Sequence, residues 1–312
     1  MLLATWLIML RARIGHRSTP VVVWVQDIYT LGLGETGQGS GAVLRVISAV
    51  ERWVMRHAAK VVVIHDRFAR RVAKTFGVHH HQIQVIRNWT HIAVPPHGDI
   101  AHIRAERGWS DDDTVALHAG NMGVKQGLEN VVAAAELAAQ RDEKVKFVLL
   151  GGGSERGRLQ TLAAGLPNIE FLDPLPDAEF AATLRAADIL LINEKPGVSE
   201  MSVPSKLTSY MTSGRPVLAA TDPAGITAEE LRNAEAGLIV PPGDPRALLD
   251  TVISLGSDVE RGARLGTNGK RYRESVLAEG PSIQKFIDLL NTLANRVPTE
   301  EPTTSRNERS SS

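Results

Sequence analysis

The sequence predicts an α/β protein built on doubly wound parallel sheet, and three observations point there. From residue 115 onward, short β-branched and aliphatic runs alternate with helical stretches through short connections. The runs are apolar throughout rather than alternating with polar residues, as in strands covered on both faces. Glycine-rich turns follow several of them and lead into helices, where such a sheet places its ligands.

Taken in order, residues 2–14 read as an amphipathic or buried helix. Their apolar run is too short to span a bilayer, and the arginines follow it, unlike those of a signal peptide. Residues 21–25, β-branched and aromatic after Pro20, suit a fully buried strand. Asp27 and Tyr29 stand at its end, a glycine-rich loop covers 32–41, and a helix is expected over 43–57. A second strand over 60–64, a helix over 66–76 closed by Gly77, and a third strand over 83–86 ending at Arg87-Asn88-Trp89 complete a first unit. His79-His80-His81 reads as a polar turn, because adjacent side chains do not converge on one metal ion. Pro95, Pro96 and Gly98 mark a joint.

Beyond it, strands are expected at 115–119, 145–150, 169–172, 189–192, 217–220 and 238–240. Helices fall at 128–140, 155–164, 178–187, 205–213 and 227–234. The implied organisation is a first unit over 1–97, a linker over 98–112, a second unit over 113–275, a helix over 276–297 crossing back to the first unit, and a disordered polar tail over 298–312.

Composition narrows the chemistry. The absence of cysteine among 312 residues excludes disulfides, zinc-thiolate sites and a cysteine nucleophile. Net charge is zero, but residues 1–110 carry an excess of about +8, offset by the rest. Arg11, Arg13, Arg17, Arg52, Arg56, Lys60, Arg67, Arg70, Arg71 and Lys74 belong to that basic third, which could meet lipid headgroups or a phosphorylated acceptor, or be a plain solvated surface.

Three turns carry the functional signal. Gly120-Asn121-Met122-Gly123-Val124-Lys125-Gln126-Gly127 follows a strand and opens a helix, the build of a phosphate cradle, with Lys125 as its charge. It lacks the Lys-Ser/Thr pair of a Walker loop and the spacing of a dinucleotide fingerprint. Gly151-Gly152-Gly153-Ser154-Glu155 leaves room for a flat ring or ribose against the backbone, or is only a tight turn. Pro204-Ser205-Lys206-Leu207 starts a helix whose free amides and Lys206 suit a second anion, so that two lysine-bearing turns on one sheet fit a diphosphate.

With Ser213-Gly214-Arg215-Pro216-Val217, these strings resemble the C-terminal domain of family 4 retaining glycosyltransferases, within the bacterial capsule, colanic acid and O-antigen subgroup that includes L-fucosamine transferases. The resemblance implies a GT-B fold of two Rossmann-like domains, the first incomplete, and a cell-surface polysaccharide enzyme. It implies a UDP- or GDP-sugar donor, a glycan or polyprenyl-diphosphate-linked acceptor, no metal or other cofactor, and no nucleic-acid partner. Lys125 and Lys206 would neutralise the departing diphosphate. The donor would also be held by Gly120, Asn121, Gly123, Gly151, Gly152, Gly153, Glu155, Leu172, Pro204, Ser205, Leu207 and Ser209, with Asp27 orienting the acceptor. A cytoplasmic location, peripheral at the inner membrane face, is expected.

The strings depart from the family in places. Met201 and Ser209 stand where much of the family has two glutamates, Asn121 where an arginine is common, and Gln26 where a histidine is usual. The first unit is shorter than such a domain usually runs, which suggests a late start or a natural fragment. Three other readings stay open: an inactive sugar-nucleotide-binding module, a sugar-nucleotide 2-epimerase, and an NAD-dependent dehydrogenase. The last lacks its fingerprint, and the epimerase lacks a cleft of acids and histidines.

Overall fold

In the computed structural model, which describes residues 2–15, 19–30, 41–89, 100–198 and 206–295, the strands form two parallel sheets. The first sheet has the order β1 (Val22–Val25), β2 (Lys60–Val63), β3 (Ile83–Val85). Around it lie α1 (Leu2–Gly15), α2 (Gly41–His57) and α3 (Asp66–Arg71), the last continued by a π-helical turn, Val72–Phe76. Gly77, at φ 67°, closes that turn in the left-handed conformation. Val61, Val63, Val54, Phe68 and Phe76 form the core on one face.

The second sheet has the order β6-β5-β4-β7-β8-β9, from β4 (Thr114–Ala119), β5 (Val145–Leu150), β6 (Ile169–Leu172), β7 (Ile189–Asn193), β8 (Val217–Ala220) and β9 (Gly237–Val240). Successive β4 residues enter opposite core layers, Ala116 in one and Val115, Leu117 and Ala119 in the other, so both faces are buried and the strand is apolar throughout. One layer is closed by α5 (Glu129–Gln140), α6 (Arg156–Leu162) and α10 (Pro245–Ser257). The other is closed by α4 (Ile100–Glu106), α7 (Asp177–Ala186), α8 (Lys206–Ser213) and α9 (Ile226–Ala234). Next to α8 runs α11 (Val259–Ser275), so close that a Cβ on Gly266 would stand 1.9 Å from the Gly214 carbonyl oxygen.

Several expectations are corrected. The segment read as a linker holds α4, whose Ile100 and Ile103, with Trp109, pack into the second core. There Arg104 donates to the carbonyls of Ala186, Ser110 and Asp113 and to Asp188 at 2.7–3.1 Å, so this stretch is part of the second unit. Strand β1 is an edge strand rather than fully buried: Trp24 is 47% exposed and stacks on Trp89. Helix α1 buries Met9 but exposes Leu3, Leu7, Ile8 and Ile14. Helices α10 and α11 fill 245–275, for which no helix is predicted. The tail at 298–312 lies outside the described residues.

The two halves meet along two helices. α12 (Glu279–Ala294) lays Leu289 and Leu293 against Val62 and Ile86 on the open face of the first sheet, and Ser282 donates to the Arg87 carbonyl at 3.1 Å. From α9, Ile226 joins the first unit's core. On the same helix Glu230, 1% exposed, is paired by Arg87 and lies 3.2 Å from Nε2 of the equally buried His65. Glu229 is bridged by Arg67 and Arg70 at 3.3 and 3.4 Å.

Candidate functional site

The chain leaves β4 for β5 on one side and later places β7 on the other, which makes the gap between β4 and β7 the topological switch point of the second sheet. The β4–β7 ladder joins Ala116 to Ile189 and Leu117 to Leu190. Past that point side chains replace it. The Tyr210 hydroxyl accepts from the Ala119 amide at 2.7 Å and sits 3.2 Å from the Ala119 and Leu191 carbonyls. His118, fully buried, places Nδ1 3.2 Å from the same Leu191 carbonyl.

Above this gap stands Lys206, one turn before Tyr210 on α8. Its Nζ and Cε lie 3.8 and 3.7 Å from where a Cβ on Gly120 would be, in van der Waals reach, and it is the backbone of Gly120, at φ 129°, that favours glycine there. Nζ is also 3.4 Å from Nε2 of His118. Although part of the side chain reaches the surface, the ammonium is enclosed: burial lowers its pKa to about 8, partly offset by the Glu194 charge. Burial, and then the Lys206 charge, hold His118 well below the ordinary imidazole value. Among the described residues the crevice therefore carries a cation whose charge is incompletely compensated, as suits an anion site.

The turns around it are braced by their own backbone. Met122 N–H donates to Gly152 O at 2.7 Å and Glu155 N–H to Met122 O at 2.9 Å. Cβ atoms on Gly151 and Gly153 would stand 2.2 Å from Gly120 O and 2.5 Å from Met122 O. Asn193, at the end of β7, donates to the carbonyls of Gln126 and Gly127 at 2.7 and 2.9 Å and accepts from Asn130 at 2.8 Å. The amides of Asn121, Val124 and Lys125 have no backbone partner among the described residues.

The glycosyl transferases group 1 family matches residues 99–272, more than half of the chain. The chain belongs to that family. A glycosyl transferase 4-like domain matches residues 2–89. WcaI of Escherichia coli K12, named as a colanic acid biosynthesis glycosyl transferase, is 33% identical over 202 residues, 62% of this chain and 49% of WcaI. The glycosyltransferase WbjE of Pseudomonas aeruginosa is 27% identical over 179 residues, 56% of this chain and 43% of WbjE. The chain thus spans about half the length of these relatives. Among solved structures, Anabaena HepE in complex with UDP superposes with a TM-score of 0.76 at 19% identity, covering 94% of this chain and 77% of HepE. The fold is GT-B.

Within this group 1 family member, the structure redistributes the expected site residues. Lys206, Gly120 and Asn121 gather at the crevice, but Lys125 sits exposed on a separate 3₁₀ turn, Val124–Gln126, and α5 begins only at Glu129. The Gly123 amide is used within the turn, donating to Gln126 Oε1 at 3.1 Å. Gly151 and Gly153 make room for neighbouring backbone. At Gly152 a Cβ would meet nothing within 4 Å among the described residues, so the open space of this loop is there. Leu207, 1% exposed, packs its side chain into the core. Glu155 is engaged by Arg158 at 2.7 Å, the Leu172 carbonyl accepts from Gly151, and Ser209 is half-buried on α8. Pro204 and Ser205 lie outside the described residues. Asp27 is exposed in the first unit, beside Gln26, whose amide exchanges hydrogen bonds with Asn88 at 2.8 and 3.3 Å.

Sequence reasoning gave no site role to His118, Asn193 or Glu194. Glu194 follows β7 and accepts from Thr227 Oγ1 at 2.6 Å and from Thr221 Oγ1. The available signal was a polar Asn-Glu pair at the end of an apolar strand. Among the described residues no group of His, Cys, Asp and Glu could hold a metal ion, and no helix is long and apolar enough to cross a membrane.

Proposed function

We propose that this chain transfers a sugar, with retention, from a UDP- or GDP-sugar to a lipid-linked glycan in bacterial cell-surface polysaccharide synthesis. The observation that carries the reading is the enclosed Lys206 ammonium seated over Gly120 at the switch point. A diphosphate there would supply the missing counter-charge, and Lys206, with Lys125 at the rim, would stabilise it as the leaving group. The unpartnered amides of Asn121, Val124 and Lys125 would take further phosphate oxygens. Ribose or base would lie over Gly152. No protein nucleophile and no metal enter the scheme, and Asp27 would face the acceptor.

The name of WcaI supports the polysaccharide setting, and the UDP and UDP-glucose complexes of HepE favour UDP over GDP. The L-fucosamine transferase likeness gives the donor sugar to try first. Anionic lipid would be met by α1, where exposed Leu3, Leu7, Ile8 and Ile14 accompany Arg11 and Arg13. Beside it Arg45, Arg52, Trp53 and Arg56 of α2 line a groove of about 690 Å³. Vesicle flotation with and without phosphatidylglycerol tests this part.

Calorimetry tests the centre of the reading: UDP should bind with chelator present, and Lys206→Met should weaken it about 100-fold, the cost of roughly two charge-assisted hydrogen bonds. Equal UDP binding by the variant would remove the donor site from this crevice. Binding with no turnover on any donor would favour the sugar-nucleotide-binding module.

A further inference from the structure

Lys206 is held in its seat by groups that would not themselves touch the donor. His118 lies on the central strand with its ring fully buried. With the ring proton assigned to Nδ1, which faces the Leu191 carbonyl at 3.2 Å, Nε2 presents a lone pair; the Asn121 backbone also faces the ring. That lone pair faces the Lys206 ammonium at 3.4 Å. On the β7 side, Glu194 is oriented by hydroxyls from two further elements, Thr221 after β8 and Thr227 on α9, and its charge acts on Lys206. Gly120 lies beneath Nζ. The ammonium therefore has His118 against it and the crevice in front, and the Glu194 charge acts on it.

We propose that His118 and Glu194 are positioning residues for Lys206, His118 fixing where the ammonium points and Glu194, held by Thr221 and Thr227, supplying a fixed negative charge to it. This rests on the donor-site reading given above. His118 suits the task because burial keeps it neutral, so it remains an acceptor throughout the physiological range. A protonated histidine there would repel the lysine. Other charged groups near the crevice are Lys125 on the cradle and Lys195 after Glu194. Glu129 is engaged by Arg158, and Glu229 and Glu230 of α9 are turned to arginines of the first unit.

The consequence is a proton-linked donor site. The free lysine titrates at about 8, and a bound diphosphate raises that value. UDP affinity should therefore be flat below about pH 8 and fall toward tenfold per pH unit above it, with proton uptake on binding.

The test is calorimetry of UDP on the full chain from pH 7 to 10, above the second phosphate ionisation near 6, in buffers of different ionisation enthalpy. Glu194→Gln keeps the shape and removes the charge, so the break should move down by about one pH unit. His118→Phe should weaken UDP about tenfold at pH 7, and His118→Gln, which restores an acceptor, should recover most of it. Should His118→Phe fail to fold, the comparison of His118→Gln and Glu194→Gln with wild type stands in its place. If the break stays where it is in Glu194→Gln and affinity is untouched in the folded His118 variants, the positioning roles are overturned, while a loss in Lys206→Met would leave the donor site standing. If Lys206→Met also binds UDP normally, the donor-site reading itself falls.

Discussion

Two buried charges in this molecule are treated in opposite ways. Lys206, at the switch point of the second sheet, has a neutral imidazole and a carboxylate acting through space, and burial still drives its pKa down to about 8. Glu230, between the two units, is pushed upward by burial, yet His65 and the Arg87 guanidinium outweigh that and hold it below its ordinary 4.5. The charged form is disfavoured at Lys206 and favoured at Glu230. A buried charge left short of partners is arranged for something that arrives; one with its partners in place is part of the scaffold. The two clusters are joined by α9, which offers Thr227 to Glu194 at one end and Glu230 to the first unit further along.

The largest effect should come from breaking the completed cluster. Glu230→Ala leaves Arg87 and His65 buried without their carboxylate and should cost about 3–5 kcal/mol in denaturant unfolding. Lys206→Met should do the reverse: lose UDP yet match or exceed wild-type stability, because a buried charge with incomplete compensation is replaced by an apolar chain of similar length. If both substitutions destabilise equally, the distinction between scaffold and site is wrong.

Acid should sharpen the contrast. Since the folded Glu230 titrates below its unfolded value, its contribution to stability is fully present above about pH 4.5 and is lost as pH falls through the lower folded value. Wild type should lose stability over that acid window more steeply than Glu230→Gln, measured by urea midpoints at pH 3 to 6. Similar slopes for both would mean that other carboxylates govern acid unfolding.

Legibility in the sequence follows the same division between local and distant causes. Strands β5, β6 and β8 lie where the apolar runs place them, because a strand buried on both faces declares itself residue by residue. Helix α11 does not, since Gly262, Gly266 and Gly269 look like helix breakers until Gly214 and Ala236 are found packed against that face. Helix α10 did carry a signal, Asp244-Pro245, with the Asp244 carboxylate accepting from the Ala247 amide at 2.9 Å. In the crevice, glycines and lysines were readable from type and spacing. His118 was not, because its meaning depends on Leu191 and Lys206, 73 and 88 residues away.

The finest test separates the glycines that serve the fold from the one that serves the site. Gly151 and Gly153, at φ 129° and 147°, face backbone atoms at distances no Cβ tolerates, so alanine at either should destabilise the protein by more than about 1 kcal/mol and disturb UDP binding only through that loss. Gly152 has ordinary φ and open space around its missing Cβ. Gly152→Ala should therefore stay within about 0.5 kcal/mol of wild type. It should nonetheless weaken UDP several-fold if ribose or base lies over it. Stability and affinity both unchanged in Gly152→Ala would move the nucleoside away from this loop and leave the diphosphate at Lys206 as the only part of the donor placed.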